Sequence, residues 1–169
     1  IRPKTDLGQN FLIDLNLLRV LVETADVSSR DVILEVGAGT GSLTAMLAER
    51  AAYVISVEID PKLHALAQQL VGQKPNVCLL CQDALRNKNQ LHPQIIESLR
   101  HALEVDPQRR FKLVANLPYG VATPVITNLL GLRAPPVSIT ATIQRELADR
   151  IVARPGSKDY GALSVWVQS

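Results

Sequence analysis

Cysteine, aromatic residues and net charge are all scarce in this chain. It has two cysteines and three histidines among 169 residues, aromatic residues make up 4%, and the formal net charge is +2. Two cysteines cannot build the disulfide framework of a small secreted domain. Cys78 and Cys81 lie three apart in an apolar run, where a strand points them to opposite faces, so we expect buried structural thiols and no shared metal. The histidines are dispersed, and the small net charge means that the chain as a whole is not a strongly basic nucleic-acid binder.

Long hydrophobic runs are also missing. No stretch is long and apolar enough to cross a membrane, and the first residues lack the layout of a signal peptide. Hydrophobic residues still amount to 47%, which is enough for the core of one globular domain. We therefore expect no membrane partner and a reducing compartment, the cytoplasm in the simplest case, with a mitochondrial or nucleolar location as the alternative.

Apolar runs typical of strands alternate along the chain with helical patterns. Strands are predicted over residues 32–36, 53–57, 77–81, 111–115, 137–143 and 162–167. Helices are predicted over residues 10–25, 42–50, 61–71, 91–104 and 123–132. This alternation predicts an α/β fold: a doubly wound, mostly parallel sheet of six strands that binds its ligands at the carboxyl ends of the strands.

The tetrapeptide Asn116-Leu117-Pro118-Tyr119 directly follows one of these apolar runs. Asn116 offers a side-chain carbonyl, while Pro118 lacks a backbone donor and has a fixed φ, so nearby carbonyls can face a ligand. Tyr119 can stack on a ring. A planar exocyclic amine such as adenine N6 suits this cluster of acceptors. The alternative is a strand-ending turn, because Asn and Pro favour turns.

A glycine loop, Gly37-Ala38-Gly39-Thr40-Gly41, lies between a predicted strand and a predicted helix. The glycines allow close approach of the backbone to a ligand, and the helix start presents free N–H groups. Glu58 ends the next strand, where a carboxylate can accept from both hydroxyls of a ribose. Glu35 would repel a dinucleotide pyrophosphate but hold the ammonium group of a methionine moiety, and Asp83 can accept the adenine amine. These features favour S-adenosylmethionine over a dinucleotide as the ligand. The alternative is that the segment binds no ligand, with glycines that form tight turns and acids that cap helices.

Six segments follow one another along essentially the whole chain. They are Gly8-Gln9-Asn10-Phe11-Leu12, Glu35-Val36-Gly37-Ala38-Gly39-Thr40-Gly41, Val57-Glu58-Ile59-Asp60, Gln82-Asp83-Ala84, Asn116-Leu117-Pro118-Tyr119 and Ser157-Lys158-Asp159-Tyr160-Gly161. Together they resemble the ribosomal RNA adenine N6,N6-dimethyltransferases that modify small-subunit rRNA. The related erythromycin-resistance methyltransferases of large-subunit rRNA usually carry Ile where this chain has Leu117, which favours the small-subunit enzymes.

The resemblance implies a Rossmann-like class I methyltransferase fold, S-adenosyl-L-methionine as cofactor and rRNA of the immature small ribosomal subunit as partner. It also implies no metal and a monomer at full length. The catalytic residues that it implies are Asn116, Leu117, Pro118 and Tyr119. The cofactor-binding residues that it implies are Gln9, Asn10, Leu12, Glu35, Gly37, Gly39, Gly41, Glu58, Ile59, Asp83, Ala84 and Asn116.

The chain departs from the family pattern in two places. The segment around residues 87–110 is longer than expected and contains Arg100, Arg109 and Arg110, which bears on the geometry of RNA contacts. Gly120 follows Tyr119 where a larger polar residue is more usual, which would loosen the loop that grips the target base. The cations expected near the ligand edge, as candidates for RNA contact, are Arg2, Lys4, Arg86, Lys88, Arg145, Arg150, Arg154 and Lys158.

Other functions stay open. The domain could serve as an assembly factor or a mitochondrial transcription factor of the same family, as an erythromycin-resistance-type enzyme, or as a methyltransferase of a small-molecule or protein amide. The chain begins with Ile1 and ends near a predicted apolar strand. We expect residues 1–169 to be a catalytic domain truncated before its last strand and a C-terminal helical domain. We also expect an unpaired strand edge near Val167, and weak rRNA methylation unless the missing domain is restored.

Overall fold

The computed structural model of the protein describes residues 15–169. The predicted cofactor contacts Gln9, Asn10 and Leu12 lie outside the described residues. The strands are β1 (Asp31–Val36), β2 (Tyr53–Glu58), β3 (Val77–Cys81), β4 (Leu85–Asn87), β5 (Gln90–Leu91), β6 (Arg110–Asn116) and β7 (Ser138–Thr142). The helices are α1 (Leu15–Thr24), α2 (Ser42–Ala48), α3 (Pro61–Val71), α4 (Pro93–Glu104), α5 (Ala122–Leu130), α6 (Arg145–Val152) and α7 (Ala162–Gln168).

The central sheet has five parallel strands in the order β3-β2-β1-β6-β7, and β4 and β5 form a separate antiparallel hairpin. The strand order reverses between β1 and β6, because β2 and β3 extend the sheet to one side and β7 to the other. Ligands of such sheets bind at the carboxyl ends beside this reversal. The predicted α/β fold class is confirmed.

Separate apolar cores cover the two faces of the sheet. Side chains of β1 alternate between them, as the period of a strand requires. Val32 and Leu34 are fully buried in the core that contains Ile95 of α4. Ile33 is fully buried in the core that contains Leu47 of α2. Helices therefore lie on both faces, as in a doubly wound fold.

The prediction of a sixth strand over residues 162–167 is wrong. This segment is the helix α7, although Val and Trp in it favour strands. The Ser164 hydroxyl donates to the carbonyl of Arg150 at 2.6 Å and accepts from Gly161 N at 3.1 Å, and Leu163 is buried. The bond to Arg150 joins α7 to α6, a helix that the sequence did not predict. The expected unpaired strand edge near Val167 is consequently wrong as well, and β7 is the edge strand on that side of the sheet.

The long segment between the third and fourth sheet strands consists of the β4–β5 hairpin and α4. Its arginines contact the protein itself. Arg100 pairs with Glu104 at 2.9 Å on the surface of α4, and Arg109 Nη1 donates to the carbonyl of Ala102 at 2.6 Å. Arg110 pairs with the buried Asp31 at 2.9 Å. All three arginines therefore have partners within the protein.

Asp31 is the centre of a buried ionic cluster at the amino ends of β1 and β6. Its carboxylate accepts from Ser28 N at 2.8 Å and from Arg110 Nε at 2.9 Å. The ammonium of the buried Lys112 lies 3.1 Å from it and also donates to the carbonyl of Ala25 at 3.0 Å. Burial alone would raise the pKa of Asp31, but the hydrogen bonds from Ser28 and Lys112 outweigh it and hold that pKa below its ordinary value.

Three expectations about composition can be compared with the described residues. Cys81 is exposed and Cys78 is half-buried, so the expectation of two buried thiols is wrong. Within residues 15–169, no group of three or more His, Cys, Asp or Glu side chains is placed to hold a metal ion. In the same range, no helix combines the length and apolar character that crossing a bilayer requires.

Candidate active site

Four strands bring their polar ends to the same edge of the sheet. The glycine loop, residues 37–41, follows β1, and Glu58 is the last residue of β2. Asp83 comes two residues after β3, and Asn116 is the last residue of β6. Because the strands are parallel and neighbours in the sheet, these groups converge although Gly37 and Asn116 are 79 positions apart in sequence.

Positive φ angles shape the glycine loop. Gly37 and Gly41 have φ of 88° and 86°, a region that L-residues rarely adopt. A Cβ on Gly41 would lie 3.0 Å from Cα of Ala67 in α3, so a side chain does not fit there. A Cβ on Gly39 would meet nothing within 4 Å. The loop is thus held against the protein at its ends and open at its middle, where a ligand can approach the backbone.

Glu58 ties this loop to the end of β2. One carboxylate oxygen accepts from Gly39 N at 2.8 Å, and the other accepts from Asp60 N at 2.8 Å. The residue is 3% exposed. A carboxylate has about four acceptor sites, so each oxygen retains capacity for a ligand hydroxyl after these bonds. The predicted ribose acceptor therefore also positions the glycine loop.

Glu35 is placed differently from the prediction. Its side chain is fully buried, and one carboxylate oxygen accepts from Thr44 Oγ1 and from Ser56 Oγ, both at 2.6 Å. The other oxygen is buried without a partner among residues 15–169. A carboxylate with no accessible surface does not reach a ligand ammonium directly. Glu35 instead joins the start of α2 to β2 beneath the glycine loop.

The environment of Glu35 raises the pKa of its carboxyl from 4.5 to about 7. Burial is the main cause, the bonds from Ser56 and Thr44 oppose it, and the nearby charge of Glu58 adds to it. The side chain thus changes its charge close to neutral pH. Ionisation there puts a second negative charge beside Glu58 and under the loop.

A change of Glu35→Gln should reveal this titration in the free energy of unfolding. With a raised folded pKa, the contribution of Glu35 to stability is fully present below pH 4.5 and is lost as pH rises through about 7. The variant does not titrate, so its stability relative to the unmodified protein should rise by about 3 kcal/mol between pH 4.5 and pH 8, at about 1.4 kcal/mol per pKa unit. Urea unfolding at several pH values measures this, and a constant difference would contradict the assignment.

The remaining predicted cofactor residues lie around the same edge. Ile59 is 43% exposed beside Glu58, and Asp83 is exposed with one oxygen accepting from Leu85 N at 2.8 Å. Ala84 is buried, and its carbonyl accepts from His92 N at 2.9 Å. Ile59 and Asp83 therefore present accessible groups, whereas Ala84 contributes mainly to packing under the hairpin.

The tetrapeptide 116–119 leaves β6 beside the end of β7. Leu117 is fully buried, and its N–H donates to the carbonyl of Thr142 at 3.2 Å. The Pro118 carbonyl accepts from Val121 N and from Ala122 N, both at 3.1 Å, which starts α5. In residues 15–169, no backbone donor reaches the carbonyl of Leu117. Tyr119 is 38% exposed.

Thr142 holds the side chain of Asn116 and did not figure among the predicted residues. Its hydroxyl donates to Asn116 Oδ1. Thr142 is the last residue of β7, and a polar residue at the carboxyl end of the fifth strand was the available signal. The pairing joins residues 26 positions apart, so no local pattern showed it.

The glycine loop and the tetrapeptide touch each other. A Cβ on Gly37 would lie 3.2 Å from Cγ and 3.3 Å from Cδ of Pro118, closer than most real contacts of this kind. Gly37 N also donates to the carbonyl of Val57 at 2.8 Å. The two motifs that the sequence suggested separately thus form one continuous surface. A side chain at position 37 would be strained by the positive φ and would require Pro118 to shift.

Sequence comparisons place the chain beside rRNA-modifying proteins. A family model described as Ribosomal RNA adenine dimethylase matches residues 2–169. The chain is 49% identical over 162 residues to Ribosomal RNA small subunit methyltransferase A of Alkaliphilus oremlandii (strain OhILAs), covering 96% of this chain and 53% of that protein. It is 44% identical over 165 residues to the protein of the same name from Geobacillus kaustophilus (strain HTA426), covering 98% and 54%. The chain thus spans about half the length of the curated relatives it matches.

Solved structures share the fold. A dimethyladenosine transferase from Plasmodium falciparum superposes with a TM-score of 0.75 and is 25% identical, covering 94% of this chain and 52% of that one. The 23S rRNA methyltransferase ErmE superposes with a TM-score of 0.65 and is 28% identical, covering 87% and 53%. The Rossmann-like methyltransferase architecture predicted for the sheet is confirmed by these similarities.

Proposed function

Because the chain belongs to the ribosomal RNA adenine dimethylase family, we propose that residues 1–169 form the S-adenosylmethionine-binding catalytic domain of an enzyme that dimethylates adenine N6 in small-subunit rRNA. The observation that carries this proposal is the contact of Pro118 with Gly37, which puts the acceptor tetrapeptide against the cofactor loop. A methyl donor and an adenine amine need such adjacent sites. The names of the relatives at 49% and 44% identity favour the small subunit over the large one.

The residues present fit S-adenosylmethionine. Gly39 leaves its side of the loop open, and the Glu58 carboxylate keeps acceptor capacity for two ribose hydroxyls. Ile59 offers an apolar surface to the adenine ring, and Asp83 an exposed acceptor for its amine. When bound, S-adenosylmethionine supplies an electrophilic methyl group. Glu35 acts on this site from below, through its bonds to Thr44 and Ser56.

The tetrapeptide would hold the target amine. Adenine N6 is a poor nucleophile because its lone pair is delocalised into the ring, and it must leave the base stack to be reached. The side-chain carbonyl of Asn116 and the main-chain carbonyl of Leu117 accept its two hydrogens. They align the amine and stabilise the positive charge that grows on nitrogen during transfer. Tyr119 stacks on the base, and the proton released after transfer passes to water.

Incubation of the full-length protein with labelled S-adenosylmethionine and immature small subunits, followed by mapping of the methylated bases, tests this function. We expect dimethyladenosine in small-subunit rRNA. Label in large-subunit rRNA would instead support an erythromycin-resistance-type enzyme, and label in protein an amide methyltransferase. Binding of S-adenosylmethionine without transfer of the labelled methyl group would instead support the role of an assembly or transcription factor. The substrate also implies a cytoplasmic place of action, and we propose a monomer.

A change of Glu58→Ala should weaken the binding of S-adenosylmethionine by about 1–3 kcal/mol. It removes a charged acceptor for the ribose hydroxyls and also the hydrogen bond that holds Gly39 N. Calorimetry on the purified protein measures this. Asp60→Ala is the matched control, since Asp60 Oδ1 caps α3 through Lys62 N at 2.8 Å and is not assigned to the ligand. Unchanged affinity in Glu58→Ala, or tighter binding of NAD than of S-adenosylmethionine, would contradict the cofactor assignment.

A further inference from the structure

A groove of about 410 Å³ lies beside the candidate active site, between the β4–β5 hairpin and helices α5, α6 and α7. Its walls include Lys88 and Asn89 of the hairpin, Thr123 of α5, Arg150 of α6 and Trp166 of α7. Thr123 stands in the first turn of α5, four residues after Tyr119. Three residues thus separate the tetrapeptide from the first groove residue of α5, and none of the lining residues has a role in the site described above.

The charge of the groove is positive. Lys88 and Arg150 both line it, and no carboxylate does. Neither cation has a salt-bridge partner among residues 15–169. Asp149, the acid next to Arg150 in sequence, instead lies 3.9 Å from Arg145. Two cations without a neutralising acid in a concave surface attract an anion, and a phosphate in particular.

An indole completes the groove. Trp166 is 53% exposed, although large aromatic side chains are usually buried on average. One edge of its ring lies near the end of α5, where a Cβ on Gly131 would be 3.8 Å from ring atom Cζ3. An exposed indole beside cations is suited to stacking a nucleic-acid base. A free phosphate would contact the two cations but would not account for the exposed indole beside them.

Side-chain hydrogen bonds hold these groups in place. Asn128 of α5 donates to the carbonyl of Lys88 at 3.1 Å, which fastens the hairpin to the helix. The bond from Ser164 to the carbonyl of Arg150, at 2.6 Å, fastens α7 to α6. The backbones that carry both cations and the indole are thus fixed before any ligand arrives, which lowers the entropic cost of binding.

We propose that this groove binds one nucleotide of the single-stranded rRNA that flanks the target adenosine, with its phosphate at Lys88 and Arg150 and its base against Trp166. This rests on the proposed function for the nature of the RNA. A base that has left its stack exposes its neighbours in the strand, and a site for one of them holds the flipped adenosine in register with Asn116. The groove thereby contributes to the recognition of RNA and not to the methyl transfer.

Three variants of the full-length protein test the groove. Lys88→Gln with Arg150→Gln removes the cations, and Trp166→Phe and Trp166→Ala change the stacking surface. Arg19→Gln with Arg50→Gln is the matched control, because both residues are exposed, belong to the α1 and α2 side of the sheet and alter the net charge equally. Methylation kinetics on small-subunit rRNA and binding of a fluorescent single-stranded RNA are measured across a salt series.

We expect the double groove variant to raise KM for RNA roughly tenfold, with kcat and cofactor affinity unchanged, and to lower the slope of log affinity against log salt by about 1. Trp166→Ala should raise KM by a similar factor without changing that slope. RNA should quench tryptophan emission more strongly in the unmodified protein than in Trp166→Phe. The control pair should change KM less than twofold.

The outcomes separate the two proposals. If the protein binds RNA through these residues but methylates no rRNA, the groove stands and the proposed function fails. If it methylates rRNA and the groove variants keep the unmodified KM, salt slope and quenching, the groove proposal is overturned. A large fall in Tm for Trp166→Ala at unchanged KM would also overturn it, by showing that another part of the protein packs on the indole.

Discussion

Replacement of Asn116 by Ala is expected to lower the rate of methyl transfer by roughly 10²–10³ while cofactor affinity stays nearly unchanged. The side-chain carbonyl of Asn116 lies at the end of β6, next to the Leu117 carbonyl, and both would accept from the target amine. These bonds strengthen as positive charge grows on the nitrogen, so their loss affects kcat more than binding. Single-turnover kinetics with labelled S-adenosylmethionine measure the rate, and calorimetry measures the affinity.

Thr142 supplies the controls for this experiment. Its hydroxyl holds Asn116 Oδ1, so Thr142→Val removes that bond and keeps the volume of the side chain. We expect Thr142→Val to lose about tenfold in kcat and Thr142→Ser to recover most of it, because Ser retains the donor. Rescue by Ser separates positioning from packing. Near-normal rates in Asn116→Ala would show that the tetrapeptide is only a strand-ending turn and that the active site lies elsewhere.

The parallel sheet could be predicted from sequence because its strands carry their own signals. Residues 32–36, 53–57 and 111–115 are apolar except for one residue each, Glu35, Ser56 and Lys112, and both faces of each strand are buried in the structure. Such runs are typical of strands in doubly wound sheets. The polar residues that follow them lie at one edge of the sheet, because the strands are parallel neighbours. These runs are local signals. The predicted elements were therefore most accurate where contacts with distant residues did not determine the secondary structure.

α7 shows where local signals are insufficient. The run Leu163-Ser164-Val165-Trp166-Val167 has the composition of a strand, but two of its residues are buried against α5 and α6. The bond from Ser164 to Arg150 spans 14 positions, and it exists only after α6 has formed. Tertiary contacts therefore overrode the local preference, as they often do for short β-branched segments. The groove that contains Trp166 could not be predicted from a strand at this position, because α7 forms one of its walls.

Glu35 shows the same limit for a site residue. Its position before the glycine loop indicated a functional carboxylate, and the structure does put it below that loop. Its two hydrogen-bond donors, Thr44 and Ser56, lie 9 and 21 positions away, and the burial that they create decides its role. Sequence spacing located the carboxylate below the loop, but it could not show that the side chain is buried against Thr44 and Ser56.

Replacement of Asp31 by Asn is expected to lower the free energy of unfolding by about 3 kcal/mol at pH 7, because it leaves the buried ammonium of Lys112 without its counter-charge. The folded pKa of Asp31 lies below its ordinary value of 3.8. Its stabilising contribution is thus present above that value and is lost as pH falls through the folded pKa. The difference between Asp31→Asn and the unmodified protein should shrink in strongly acidic urea titrations.

The pair Arg100–Glu104 provides the comparison for Asp31, since its two side chains are 56% and 58% exposed on α4. Glu104→Gln should change stability by less than about 0.5 kcal/mol, because water screens such pairs. Asp31 also begins β1, six residues before the glycine loop, which is roughly 20 Å of strand at a rise of about 3.3 Å per residue. Asp31→Asn should consequently leave the affinity for S-adenosylmethionine nearly unchanged at temperatures where the fold persists. A loss of affinity as large as that of Glu58→Ala would mean that the base of the sheet and its ligand edge are coupled.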